Sequence, residues 1–307
     1  MIQSRCEVLS SRRGGAFVSM TLVAPEIAER ARPGQFIQVA MPEERSSLLR
    51  RAFFVHQTSR RGGWAGTLEF VVDPRGPGTG WLADVKPHQF LDVMGPLGRP
   101  FSIPRKPVSC LLVMEDYGAA PLLFLAEELL AQGQRVDMIL GATSQDRILK
   151  PIEAKRLSRI NSIVTADGSA GEAGHVVDVL EGIVARCGSE VVYAAGPRPL
   201  LRQVAEFCRE RGIPAQVAVE ETMACGTGVC WGCVVPVARR DGKSYDHLRA
   251  CVEGPAMNAA RILWDRWGTS EPAPTPPEGF PPVAADGMLP TPPHGYPAIP
   301  SPAGSSS

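Results

Sequence analysis

The feature that most constrains this chain is the run Glu220-Glu221-Thr222-Met223-Ala224-Cys225-Gly226-Thr227-Gly228-Val229-Cys230-Trp231-Gly232-Cys233, with Cys251 further on. Its cysteines fall as C-x4-C-x2-C, and a fourth follows after 17 residues, the spacing of a [2Fe-2S] cluster loop. Two irons bridged by sulfide need four thiolates converging on one small volume, so a short loop supplies three and a second segment the last. Gly226, Gly228 and Gly232 lie between the ligands, where a chain wrapped around a cluster needs left-handed backbone and close approach. The N–H groups can then point at sulfur and help set the reduction potential. Cys225, Cys230, Cys233 and Cys251 are therefore the expected metal ligands.

Other arrangements use the same residue types. A structural zinc site takes four cysteines, usually as two short C-x2-C-like pairs. Unligated thiols would be scattered along the chain. Here half of the eight cysteines gather in one stretch, which favours the cluster over both. Cys6, Cys110, Cys187 and Cys208 have no paired spacing and read as small apolar residues in a reducing cytoplasm.

A chain of 307 residues is long enough for two or three small domains with real cores. Lys plus Arg balance Asp plus Glu at 32 each, so no field points to nucleic acid or an acidic surface. No apolar run approaches the roughly 18 residues of a membrane span, and the N-terminus lacks a signal pattern. The five histidines (His56, His88, His175, His247 and His294) show no metal-ligand spacing, and no Ser/His/Asp set is evident. No catalytic residue is expected, so any substrate oxidation belongs to another chain.

The first hundred residues read as β. Ala16–Ala24, Gly34–Ala40, Thr67–Asp73 and Phe90–Met94 carry β-branched or aromatic residues between Gly, Pro and polar breaks, which suggests an antiparallel barrel or sandwich. Gly76-Pro77-Gly78-Thr79-Gly80 reads as a loop opening a helix over Trp81–Val85, and such a loop is an anion site as well as an ordinary turn. The middle alternates. Strands are expected at Val108–Met114, Arg135–Leu140, Ser162–Thr165, Val191–Ala195 and Gln216–Val219, with helices at Pro121–Gln132, Ile148–Arg156, Val176–Arg186 and Pro199–Arg211. That order means a doubly wound sheet with ligands at the carboxyl ends of its strands. From about residue 269 to 307, Pro, Gly, Ala and Ser dominate, and the tail is expected to be disordered.

With these motifs in hand, the chain resembles the ferredoxin-reductase superfamily and, more narrowly, the electron transfer subunits of dihydroorotate dehydrogenase. The likeness covers about residues 3–267 and is most specific at Glu220–Cys233 and Cys251-Val252-Glu253-Gly254-Pro255. It implies an FAD-binding barrel over 1–100, an NAD-type α/β domain over 101–218 and a [2Fe-2S] module over 219–268. It also implies a cytoplasmic role in pyrimidine biosynthesis, with electrons passing from the FMN of a catalytic partner through the cluster and FAD to NAD. The partner would be an FMN-containing dihydroorotate dehydrogenase-like subunit in a two-plus-two heterotetramer.

The family's flavin motif Arg-Pro-Ile-Ser falls on Arg51-Ala52-Phe53-Phe54, so the arginine stays and the serine hydroxyl is lost. A retained guanidinium can pair a phosphate bidentately; a surface charge beside Arg50 is the alternative for Arg51, and the flanking pattern favours the phosphate role. A second flavin stretch falls on Val71-Val72-Asp73, where a family arginine has become an acid, and Arg75 is the candidate replacement cation. Gly78-Thr79 is retained at the phosphate loop. The nicotinamide motif departs most. Met114-Glu115-Asp116 stand where relatives carry three glycines, and only Gly118 and the Ala-Pro-Leu behind it survive. Side chains there obstruct a pyrophosphate, and two carboxylates repel it. NAD binding conflicts with these residues. Two function classes stay open: a redox subunit, of this or another flavin and iron-sulfur reductase, and a cluster-bearing docking module with no nicotinamide turnover.

Overall fold

The computed structural model describes residues 1–41, 49–239, 241 and 243–268; the expected disordered tail lies outside the described residues. The chain starts with β1 (Ile2–Gly14), β2 (Phe17–Val23), the short α1 (Pro25–Arg30), β3 (Phe36–Val39), β4 (Arg51–Ser59), β5 (Thr67–Val72), α2 (Pro77–Asp84) and β6 (Phe90–Leu97). Its six strands close into an antiparallel barrel in the order β1-β2-β5-β4-β3-β6. Closure leaves no edge strand for unwanted pairing. Val8, Met20, Leu22, Ile37, Val55 and Phe70 fill the interior without exposure, each such burial stabilising by about 1.5–3 kcal/mol for the larger side chains.

The second half holds β7 (Ser109–Glu115), α3 (Ala119–Ala131), β8 (Arg135–Ala142), α4 (Pro151–Leu157), β9 (Asn161–Thr165), β10 (Glu172–Ala173), α5 (Val176–Cys187), β11 (Val191–Ala195), α6 (Arg198–Glu210) and β12 (Ala215–Ala218). These strands pair in parallel in the order β10-β9-β8-β7-β11-β12. The first strand, β7, lies in the middle, so the order reverses between β7 and β11. That reversal is the switch point at which doubly wound sheets take ligands.

The cysteine run leads into β13 (Val234–Ala238) and β14 (Tyr245–Arg249), an antiparallel hairpin, and then β15 (Ala256–Asn258). β15 returns to the large sheet as its one antiparallel edge, against β12. Helix α3 joins barrel and sheet. Phe124 belongs to the barrel core while Leu122 and Leu125 belong to the sheet core, which is why this helix is apolar nearly all round.

The expected strands are present within a few residues of their ends. Two readings need correction. Residues 77–80, taken as a loop ahead of a helix, are already the first turn of α2, because Pro77 sits at the helix start, where its fixed φ and missing N–H cost nothing. Arg51–Phe54, read only as a ligand motif, opens the nine-residue strand β4.

Candidate functional site

Three of the four cysteines are held by a loop without regular structure, and the fourth follows β14. Cys225 accepts from the amides of Thr227 and Cys230, each at 3.4 Å, and Cys230 accepts from Gly232 N–H at 3.5 Å. Burial pushes the Cys225 thiol up, but these donors outweigh it and bring it down to about 6. Ala250 N–H donates to the Cys233 carbonyl at 2.7 Å, which fixes the fourth cysteine beside the third. Burial, then the neighbouring Cys233 thiol, pushes Cys251 up to about 12. The thiols therefore stand as two pairs, Cys225 with Cys230 and Cys233 with Cys251. Among the described residues no three His, Cys, Asp or Glu side chains converge tightly enough for a single ion. Two pairs, amide donors aimed at sulfur and glycine backbone between them fit a two-iron cluster.

The glycines have identifiable work. Gly226 has φ +65, and a Cβ there would lie 2.2 Å from Nε2 of Gln38 on β3. Gly228 has φ +87, and a Cβ there would lie 2.5 Å from Val252. The loop is thus pressed against the barrel on one side and the Cys251 turn on the other. Trp231, between two ligands, also has a left-handed φ of +56. The residue is 56% exposed, with the Arg249 guanidinium 4.6 Å from its ring centroid. Val229 is 80% exposed, so the outer rim of the loop is open.

On the same barrel wall, Arg51 lies one place from Ala52 on β4, where Ala52 pairs with Gln38, and meets Gly78. A Cβ on Gly78 would lie 3.5 Å from Arg51 Nε and 3.3 Å from Met41 Sδ. The missing side chain therefore leaves a cradle between a guanidinium and the start of α2, a combination suited to a phosphate. The Thr79 hydroxyl is engaged locally, accepting from the Arg75 and Gly76 amides. The side chains of Val71 and Val72 are fully buried, one in each core, so only their backbone can face a cofactor. The residues fit the diphosphate end of a flavin nucleotide.

The ring end is narrower. Phe54, Ala52, Tyr117 and Glu220 line a cavity of about 130 Å³, small beside the ~300 Å³ lower range of ligand pockets. Phe54 and Tyr117 have ring centroids 6.4 Å apart, and the Tyr117 hydroxyl accepts from Phe54 N–H at 3.3 Å. Glu220 stands at the mouth. Crowding by protein pushes its carboxyl up to about 7, against the pull of Arg75 and with Asp73 adding to the rise, while its outer side stays open to solvent.

Asp73 does not face a cofactor phosphate with a bare charge. Its Oδ2 pairs with Arg75 at 2.5 Å and with Arg147 at 2.7 Å. Arg147 Nε also reaches Asp116 at 3.2 Å, so one guanidinium joins the replaced flavin residue to a replaced nicotinamide residue. Asp116 has φ +49. It keeps the left-handed backbone suited to a glycine, at a cost of about 1 kcal/mol for a side chain, and its Oδ1 is buried without a hydrogen bond among the described residues. Gly118 lies so close to β11 that a Cβ would be 2.2 Å from the Ala195 carbonyl oxygen. The residues present do not fit a dinucleotide at this crevice. Sequence reasoning named neither Arg147 nor Gln38, because both act across long chain separations and neither sits in a motif.

Comparisons with known proteins match this geometry. A family described as the iron-sulfur cluster binding domain of dihydroorotate dehydrogenase B matches residues 220–263. An electron transfer subunit of dihydroorotate dehydrogenase B (NAD(+)) from Desulforamulus reducens is 34% identical over 246 residues, covering 80% of this chain and 92% of that protein. Its counterpart from Geobacillus thermodenitrificans is 32% identical, covering 80% and 91%. Among solved structures, the NADH-dependent reduced ferredoxin-NADP oxidoreductase studied for flavin-based electron bifurcation superimposes with a TM-score of 0.75 at 28% identity, covering 86% of this chain and 91% of that one. A ferredoxin NADP+ reductase from Neisseria gonorrhoeae with bound FAD and NADP shares the fold at a TM-score of 0.54 and 15% identity, covering 68% and 92%.

Proposed function

Because the chain belongs to the family of dihydroorotate dehydrogenase B electron transfer subunits, we propose that it carries electrons for an FMN-containing dihydroorotate dehydrogenase-type catalytic subunit in pyrimidine biosynthesis. The observation that carries this reading is the gathering of Cys225, Cys230, Cys233 and Cys251 as two thiol pairs, with Cys230 on the open rim and Cys233 and Cys251 buried behind it. When bound, the [2Fe-2S] cluster supplies one-electron transfer and the FAD supplies a store for two. The four thiolates would hold the cluster. Amides of Thr227, Cys230 and Gly232 stabilise charge on sulfur. Arg51 and the Gly78 cradle would orient the flavin diphosphate. The division into barrel, α/β domain, cluster module and tail is part of the same reading. So are a two-plus-two heterotetramer and a cytoplasmic location. Among the described residues, no helix is long and apolar enough to cross a membrane.

Protein purified without oxygen should be red-brown, hold two irons per chain and give a paramagnetic signal with dithionite. Cys230→Ser or Cys233→Ser should remove most of the iron and colour, since ligation and local folding are coupled. Stoichiometric zinc in place of iron, in protein made with adequate iron, would overturn the reading.

A further inference from the structure

We infer that the nucleotide crevice of this chain is filled by its own side chains and admits no nicotinamide dinucleotide. The inference rests on the electron-transfer reading and decides what kind of acceptor it serves. In a doubly wound sheet, a dinucleotide lies across the carboxyl ends of the strands at the switch point, with bare backbone against its pyrophosphate. Here that place lies between β7 and β11, and side chains close it in two ways.

Gly118 and Gly196 keep the close backbone packing of the paired strands, since a Cβ on Gly118 would meet the Ala195 carbonyl oxygen at 2.2 Å and one on Gly196 would meet Cβ of Glu115 at 3.2 Å; the closure comes from side chains. The loop itself is occupied. Asp116 keeps a left-handed φ of +49 yet carries a carboxylate, which Arg147 holds at 3.2 Å while also holding Asp73 at 2.7 Å. Two guanidiniums, Arg75 and Arg147, already balance two carboxylates, and Glu115 adds a third acid beside them. An incoming diphosphate meets repulsion with no spare counter-charge among these groups. The approach to the barrel is covered as well, since the Tyr117 hydroxyl accepts the Phe54 amide at 3.3 Å and bridges the two halves.

A hydride acceptor of the nicotinamide class is thereby shut out. The four thiolates would hold the cluster, and its electrons would then pass to an acceptor other than a nicotinamide.

Calorimetric titration of the full chain, purified anaerobically, with NADH and separately with NADPH should give no saturable heat up to millimolar nucleotide. Adding NAD+ to the dithionite-reduced chain, after removal of excess reductant, should leave its spectrum unchanged, whereas ferricenium should restore the oxidised bands. A double variant, Glu115→Gly with Asp116→Gly, should bind NADH at least about tenfold more tightly than the native chain, a gain of about 1.4 kcal/mol. Micromolar binding by the native chain, or reoxidation by NAD+, overturns the inference. So does a double variant with native iron content and native circular dichroism that binds no better; Tyr117→Ile, read the same way, checks the cover separately. None of these measurements needs the catalytic subunit, so their failure leaves the electron-transfer reading standing, while absence of iron would sink that reading alone.

Discussion

Gln38 is the residue whose environment asks most for an explanation. It lies on β3 with no exposure, and neither its Nε2 nor its Oε1 has a partner among the described residues. Gly226 of the cysteine loop packs directly on it. A buried amide left unpaired costs about 1–3 kcal/mol. Methionine has similar length and no hydrogen-bonding demand, so Gln38→Met should raise the stability of the cofactor-stripped chain by about that amount, read from the urea midpoint. A lower midpoint would mean that the amide has a partner outside the described residues. The cysteines outside the loop differ from Cys225, whose thiol the amide donors bring down: burial pushes Cys110 up to about 12 and Cys187 and Cys208 up to about 11, which keeps them protonated and inert.

At the scale of elements, the junction of β4 with α3 and α4 is polar and titratable. His56 on β4 is buried, and its Nδ1–H donates to the Ala120 carbonyl at 2.9 Å. Burial, then Lys150, hold its pKa below the ordinary 6.5, against the opposing pull of Glu69 and Glu153. A depressed histidine contributes stability that is complete above the unfolded value and is lost as pH falls below it. The chain should therefore lose about 1.4 kcal/mol per pH unit below 6.5, until the folded pKa is reached. His56→Gln, which keeps a donor for Ala120, should flatten that slope in denaturation midpoints taken from pH 5 to 8. An unchanged slope would assign it to other groups. The Arg147 clamp is the second element-level device. It ties the end of β5 to the loop after β7, and its backbone neighbour Asp146 accepts from Ala16 N–H of the β1–β2 turn at 2.9 Å. Arg147→Ala leaves Asp116 unpaired at 13% exposure and should cost about 3 kcal/mol in thermal or urea unfolding. A loss under about 0.5 kcal/mol would mean that the pairs are screened as surface bridges are.

At the scale of the molecule, the barrel and sheet share α3, the cysteine loop leans on the barrel through Gly226, and β15 stitches the cluster module to the sheet edge. What this leaves outward is the rim of Val229, Cys230 and Trp231. An exposed indole held by a cation and a left-handed backbone suits a docking anchor. Trp231→Glu should weaken copurification with a co-expressed FMN-containing dihydroorotate dehydrogenase-type subunit by about tenfold or more in affinity, a hot-spot-sized loss, with iron content unchanged. Association of native strength would mean that the ring only shields the cluster.

The sequence by itself determined the order of the elements and the cysteine spacing on which the proposed cluster ligands rest. β-Branched and aromatic segments between breaks in the first hundred residues, apolar runs bounded by turns in the next hundred, and the spacing of Cys225, Cys230, Cys233 and Cys251 are local signals, written within short stretches of chain. The fate of the substituted positions was decided only by tertiary structure. Asp73 and Asp116 read as two separate losses of cofactor chemistry, 43 residues apart in the chain, and nothing in either motif names Arg147, which balances both. Gln38 reads as an ordinary strand residue until Gly226 is laid against it. Charge pairing and close backbone approach depend on which distant segments the fold makes neighbours, and no local pattern encodes that.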